Sequence, residues 1–401
     1  MKLRGPDLVV AGGGPAGVAA ALRGRQMGAE VVLVQRGLLG GTCVHSGCIP
    51  SAAYHMSAGF LRELRAAAAA GVDATAALDW PRVQAWASRA SETVAATVRT
   101  RLGHAGVAIE EREAVIGPSG ADGYAGVPVV VAAGARPAAP EGTLSAESVM
   151  GLTRVPGTMH VLGGGRFSLE WADFFATAGS AVTVVASEVL PGEDRELAEF
   201  LQGALEDRGV RFTEERPGQP ADAVLSADTR EPALPGMTVD EFCRTSASGV
   251  WAAGDVTGPP WLSNRARLQG EAAAAGALGE PVRVRAERLA RSVNTDPELA
   301  AVGLTEQQAA ARGIEAAVGV ADCAASAHAI TLGQPAGALK LVVDPEFGEI
   351  LGAHMVGTGA REVIGQVALA MTLEADYRDL PRVAYVHPSG GELITSAIAA
   401  I

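Results

Sequence analysis

The chain has 401 residues, 48% of them hydrophobic but only 4% aromatic, with 50 glycines, four cysteines and a formal net charge of −13. That length exceeds one ordinary core and argues for two or three domains with interiors of Ala, Val and Leu, a balance that suits an α/β protein. The acidic balance and scattered Lys and Arg leave no broad basic surface, so neither nucleic acid nor a membrane is expected as a partner.

Met1 to Asp7 lead into Leu8-Val9-Val10 without the cationic start and apolar stretch of a secretory signal, and no run of about 18 apolar residues occurs. The expected location is cytoplasmic. Residues 8 to 36 then read strand, glycine turn, helix, strand, a βαβ unit. Gly12, Gly14 and Gly17 form GxGxxG at the end of the first strand, with Pro15 and Ala16 opening the helix. In that context the glycines permit a tight turn, close approach of a pyrophosphate and helix–strand packing, so the loop is expected to bind a dinucleotide. The second strand ends at Gln35 and Arg36; the Gln35 amide stands where an acid usually takes ribose hydroxyls and can still hydrogen-bond them.

Next comes Gly40-Gly41-Thr42-Cys43-Val44-His45-Ser46-Gly47-Cys48-Ile49-Pro50-Ser51. Two cysteines five apart at a helix start can close a small disulfide loop, and the helix N-terminus would stabilise a thiolate on one of them. A zinc site would need two more ligands, and Cys243 and Cys323 have no paired spacing, so no metal is expected. His45 reads as an exposed loop residue. Residues 57 to 109 suggest two helices joined by a loop, and Val127 to Ala133 a strand ending at Gly134. A second βαβ unit follows: His160-Val161-Leu162, Gly163-Gly164-Gly165, a helix through Ala178, and Ala181 to Val185. After a Pro/Gly-broken stretch, 216 to 236, a third strand and turn runs from Gly249 to Asp255. From about residue 286 the pattern changes to an α+β domain, with strands around 339–343 and 349–356 and helices around 360–371 and 392–401.

The stretch Gly41-Thr42-Cys43 to Cys48-Ile49-Pro50-Ser51 resembles the pyridine nucleotide-disulfide oxidoreductases, especially the dihydrolipoamide dehydrogenase and mercuric reductase branch. The resemblance continues through Val131 to Pro137, Ala252 to Asp255, Ala301 to Glu306, and His387-Pro388-Ser389 with Glu392. It implies two Rossmann-like three-layer domains and a C-terminal α+β dimerisation domain. The FAD-binding domain would comprise 1–155 and 245–285, a shortened NAD(P)-type domain 156–244, and the interface domain 286–401. It also implies FAD, a homodimer and a redox pair in which Cys43 exchanges with substrate sulfur while Cys48 faces the flavin. Asp255 would hold the ribityl chain, and Gly41, Thr42, Ala114, Gly134 and Ser263 would be further FAD contacts, beside Gln35, Arg36 and the first glycine loop. His387, oriented by Glu392, would serve the partner subunit's Cys43 as acid and base.

Departures from the family gather on the nicotinamide side. Ala52 stands where a lysine is usual, leaving Glu170 without its partner; Arg166 replaces a gating residue; Ser168 replaces the third glycine; Ala186 replaces a ribose-binding acid, and Glu188 is a poor substitute. The stretch Ala223 to Arg230 lacks the usual glycine turn, and between Phe212 and Ala223 there is no room for the usual hairpins. NAD(P)H binding is therefore expected to be weak or absent. The expected activity is oxidation of a small or carrier-bound dithiol through Cys43 and Cys48. The alternatives are an ordinary NAD(P)-linked disulfide reductase and a non-enzymatic flavoprotein scaffold. No vicinal cysteine pair precedes Ile401, so a metal-ion reductase is not expected. Tyr385 and Trp261 are candidates for shaping the pocket.

Overall fold

The computed structural model describes residues 5–117 and 120–401. Three sheets organise it. The first is five-stranded and wholly parallel, in the order Val250–Ala252, Val129–Val131, Leu8–Ala11, Val31–Val34, Ala108–Glu110. Its central strands are continuous apolar runs because both faces are covered, one by helices and the other by the segment around Ile116, Ala121 and Tyr124. Helices Pro15–Gln26 and Ser263–Ala277 pack closely together over it. Gly270 makes that approach possible, since a Cβ there would lie 2.1 Å from the Ala16 carbonyl oxygen.

The second sheet has four parallel strands in the order Arg211–Thr213, Ala181–Val185, Thr158–Leu162, Ala223–Leu225. The stretch from 216 to 236 contains the last of these and also Arg230–Pro232, which pairs antiparallel with Ala135–Pro137 and joins the first two units. The third sheet is antiparallel, in the order Arg291–Val293, Leu299–Gly303, Ile350–Val356, Ala338–Val343, Ala317–Asp322, with helices Ala360–Thr372 and Glu392–Ile398 packed on it. Mixed α/β architecture with parallel Rossmann-like sheets and a separate C-terminal unit is thus what the chain adopts. Among the described residues no helix is long and apolar enough to cross a membrane.

The helix pair expected between 57 and 109 runs Cys48–Ala66 and Trp80–His104. The first of these helices carries Cys48 at its start and presses its far side against helix Arg166–Ala178 of the second unit. Tyr54, Trp80, Trp171, Phe174 and Phe175 interlock there, with ring centroids 5.1 to 6.1 Å apart. In a chain so poor in aromatics, this concentration fixes the cysteine helix against the second unit. Each such ring contributes about 2 kcal/mol by burial.

Candidate active site

The first glycine loop is an open cradle. Gly12 adopts φ +112°, and a Cβ there would lie 2.3 Å from the Ala132 carbonyl oxygen. A Cβ at Gly17 would meet the Gly12 carbonyl oxygen at 1.7 Å, so only glycine lets helix Pro15–Gln26 sit on the turn. Gly14 faces open space, and no side chain caps this helix. Its electropositive N-terminus is left for an anion. Gly41 crosses close by, with room for no Cβ beside the Gly14 backbone, and Gly134 turns at φ +77° with open space in front of it. Ala114 is half-buried in the segment after Ala108–Glu110.

Gln35 is engaged within the protein. Its Oε1 accepts from Gly13 N, and its Nε2 donates to the carbonyls of Arg36 (2.8 Å) and Leu38 (3.2 Å). The amide thus holds the glycine loop in shape. Arg36 is exposed and pairs with Glu113 at 3.3 Å.

Gly41–His45 forms a short helix carrying Thr42 and Cys43, and Cys48 begins the long one. Both cysteines are free thiols, Cys43 half-buried and Cys48 exposed. They face one another, and the hydroxyl of Ser263, first residue of helix Ser263–Ala277, reaches both. The neighbouring Cys43 thiol brings the Cys48 pKa down to about 7, against the effect of desolvation, with the Arg166 guanidinium and Ser263 assisting. The same pairing, together with burial and the Cys48 charge, pushes Cys43 well above the ordinary thiol range. One proton therefore stays on Cys43, and the thiolate sits on Cys48. His45 is not an exposed loop residue: it ends the short helix half-buried, its Nε2 2.7 Å from the Leu39 carbonyl oxygen, because the glycine turn folds back under it.

Asp255 is half-buried in the turn Gly254–Thr257, its carboxyl pushed up by burial while Arg230, Arg265 and Arg166 pull it down. Arg166 projects from the first turn of helix Arg166–Ala178. Its Nη2 donates to the Trp261 carbonyl at 2.8 Å, and its guanidinium lies 4.5 Å from the Phe167 ring centroid. Glu170 is not left without a partner: its Oε1 accepts from Asn294 N at 2.9 Å, and the Arg166 charge opposes the rise that burial imposes on its carboxyl. The C-terminal unit supplies that donor from a segment 124 residues away, a pairing no local pattern reveals.

The second glycine loop is closed where the first is open. Asp228, just beyond strand Ala223–Leu225, reaches over it: Oδ2 accepts from Gly165 N at 3.0 Å, and Oδ1 from Phe167 N at 3.0 Å and Ser168 N at 3.4 Å. Ser168 is fully buried and donates to the Leu162 carbonyl at 3.3 Å. Sequence reasoning noted the missing glycine at this turn but not what its replacement does. The signal was an acid at the carboxyl end of a parallel strand, facing a helix N-terminus.

His387 Nδ1 lies 2.9 Å from Glu392 Oε1, and Glu392 Oε2 accepts from Ser389 N at 3.0 Å. The hydrogen bond from His387 holds the Glu392 carboxyl below the usual range. His387 is largely exposed. Among the described residues no hydrogen bond or ion pair joins this dyad to Cys43 or Cys48. Tyr385 packs its ring against Gly391, and Trp261 contributes its backbone carbonyl to Arg166.

The chain matches two family models: pyridine nucleotide-disulphide oxidoreductase over residues 6–217, and the dimerisation domain of the same group over 289–398, which indicates a homodimer. It is 31% identical to dihydrolipoyl dehydrogenase 2 of Haloarcula marismortui, covering 99% of this chain and 96% of that one, and 30% identical to a dihydrolipoyl dehydrogenase of Bacillus subtilis, covering 98% and 97%. The first alignment spans 455 positions against 401 residues here, so that relative carries segments this chain lacks. Among solved structures it superposes on LpdA from Mycobacterium tuberculosis with TM-score 0.90 at 26% identity, covering 98% of this chain and 99% of that one. It also superposes on the HOCl-induced flavoprotein disulfide reductase RclA from Escherichia coli with TM-score 0.85 at 25% identity, covering 98% and 100%. The chain belongs to the pyridine nucleotide-disulphide oxidoreductase family and is an FAD-dependent oxidoreductase acting on sulfur groups.

Proposed function

We propose that the protein oxidises a small or carrier-bound dithiol through Cys43 and Cys48, with little or no use of NAD(P)H. The observation that carries this reading is the contrast between the open first glycine loop beside Cys43 and Cys48 and the second glycine loop, whose amides are taken by Asp228. On this reading the FAD unit is 1–155 with 245–285, the NAD(P)-type unit 156–244 and the interface unit 286–401.

The uncapped helix at Pro15–Gln26 would take the FAD pyrophosphate, with Gly12, Gly14, Ala16 and Gly17 lining the approach and Gln35 bracing the turn. Gly41, Thr42, Ala114, Gly134, Asp255 and Ser263 would complete the cradle, and Arg36 would lie at its adenosine end. Bound FAD supplies a two-electron acceptor for the dithiol. A substrate thiolate attacks the Cys43 sulfur of the oxidised pair, the Cys43–Cys48 bond breaks, and Cys48 leaves as a thiolate. The second substrate thiol then displaces Cys43, and the partner subunit's copy of the His387–Glu392 dyad takes and returns the proton. Two electrons have moved from substrate to protein, and a terminal acceptor, oxygen or another oxidant, removes them after FAD.

The family's relatives named dihydrolipoyl dehydrogenase support the ordinary NAD(P)-linked reaction as the second reading. Ala52, Arg166, Ser168 and Ala186 speak against it, because they alter the lysine, the gate, the helix–strand packing and the ribose contact that hydride delivery would use. Anaerobic rapid mixing decides: the proposal expects dihydrolipoamide to reduce the flavin within seconds while NADH and NADPH leave its absorbance band unchanged. Rapid, complete bleaching by either nicotinamide would overturn it.

A further inference from the structure

We propose that Asp228 excludes a dinucleotide from the second glycine loop by seating its own carboxylate where the pyrophosphate would go. This identifies the device behind the nicotinamide-independent reading above and rests on it.

The two glycine loops of this chain provide an internal comparison. Both follow a parallel strand and open a helix, and both have N-terminal amides able to bind an anion. In the first loop no side chain caps the helix, and the space over Gly14 is open. In the second, one carboxylate takes the N–H groups of Gly165, Phe167 and Ser168. A Cβ at Gly165 would lie 2.6 Å from the Asp228 carboxyl carbon, and one at Gly163 3.1 Å from its Oδ2. The volume that these glycines would leave for phosphate is therefore filled by an internal acid.

Asp228 is held in this position by its neighbours on either side. The hydroxyls of Ser226 and Thr229 lie 3.0 Å apart, Ala138 N donates to the Thr229 carbonyl at 3.0 Å, and the buried Arg230 guanidinium pairs with Glu147 and donates to the Ala135 carbonyl at 3.2 Å. The residue thus joins the ribbon between the first two units to the glycine loop. A pyrophosphate entering here would meet a fixed like charge already satisfying the donors it needs, which is exclusion by repulsion as well as by occupancy.

The test measures binding of NADH, NADPH and ADP to FAD-loaded wild type, Asp228→Gly and Asp228→Ser by titration calorimetry. Asp228→Ser retains a neutral oxygen that can cap the helix, so it keeps the test open if the glycine variant folds poorly. Removing the carboxylate is expected to tighten NADH and NADPH binding about tenfold or more over wild type, with unchanged FAD content. Variants that fold, hold FAD and bind all three no more tightly than wild type overturn the assignment. The variant-to-wild-type ratio judges Asp228 and leaves the nicotinamide-independent reading standing if it fails, whereas rapid reduction of the wild-type flavin by NADH or NADPH would overturn that reading and the exclusion with it.

Discussion

A proton held on Cys43 and a negative charge on Cys48 make two chemically unlike sulfurs out of identical residues. Their mutual contact does most of this, and Arg166, anchored on the Trp261 carbonyl, adds a fixed positive charge on the Cys48 side. The Cys48 thiolate is consequently lost as pH falls through about 7, where an ordinary thiol would already be protonated. Alkylation of the reduced protein by iodoacetamide, followed by peptide mass spectrometry, should show a Cys48 midpoint near that pH. Arg166→Met should move the midpoint upward by about one unit. A wild-type midpoint near 8.5, the ordinary thiol value, would contradict the assignment. The cysteine spacing and the first GxGxxG were legible in the sequence because each lies within one short stretch of chain, and His387 with Glu392 through the family resemblance. Asp228 over Gly165, Asn294 against Glu170 and Arg166 toward Cys48 were not legible, because each joins segments from separate elements.

Helix Cys48–Ala66 links the redox pair to the second unit, and its inner face carries His55 as well as Tyr54. His55 is buried beside Trp171 and Phe174, neither ring nitrogen has a hydrogen-bond partner among the described residues, and desolvation lowers its pKa to about 3. A histidine whose folded pKa lies below its unfolded value contributes stability that is fully present above about pH 6.5 and declines as pH falls toward the folded value. Chemical denaturation should therefore show this residue costing about 2 kcal/mol between roughly pH 7 and pH 5, a loss that His55→Leu removes. Equal pH dependence in both proteins would refute it. The strands at 8–11, 31–34, 129–131, 158–162, 181–185, 338–343 and 350–356 were readable as apolar runs, whereas Arg211–Thr213 and Arg291–Val293, short and polar at one end, were not. The aromatic cluster was not, since nothing local says that Tyr54 and Trp80 will meet Trp171, Phe174 and Phe175 from a different unit.

Across the whole molecule the redox pair and the flavin cradle share the first unit while the acid–base dyad lies on the C-terminal one, and His387 is exposed with no bond to the cysteines of its own chain. On the proposed reading the dyad serves the partner subunit's cysteines across the dimer that the matched dimerisation domain indicates. Chains with Cys43→Ser and chains with His387→Gln should each lose about 10²-fold or more in dithiol oxidation. Co-expressed as heterodimers, they should recover one complete site; no recovery would place the histidine's action within its own subunit. The most direct test of the account as a whole is anaerobic titration of the FAD-loaded dimer with dihydrolipoamide, and separately with NADH and NADPH, followed by absorbance. The dithiol alone should give the long-wavelength band of a thiolate beside the flavin, and this band should be lost in Cys48→Ser. Full flavin reduction by a nicotinamide, with no band from the dithiol, would contradict it.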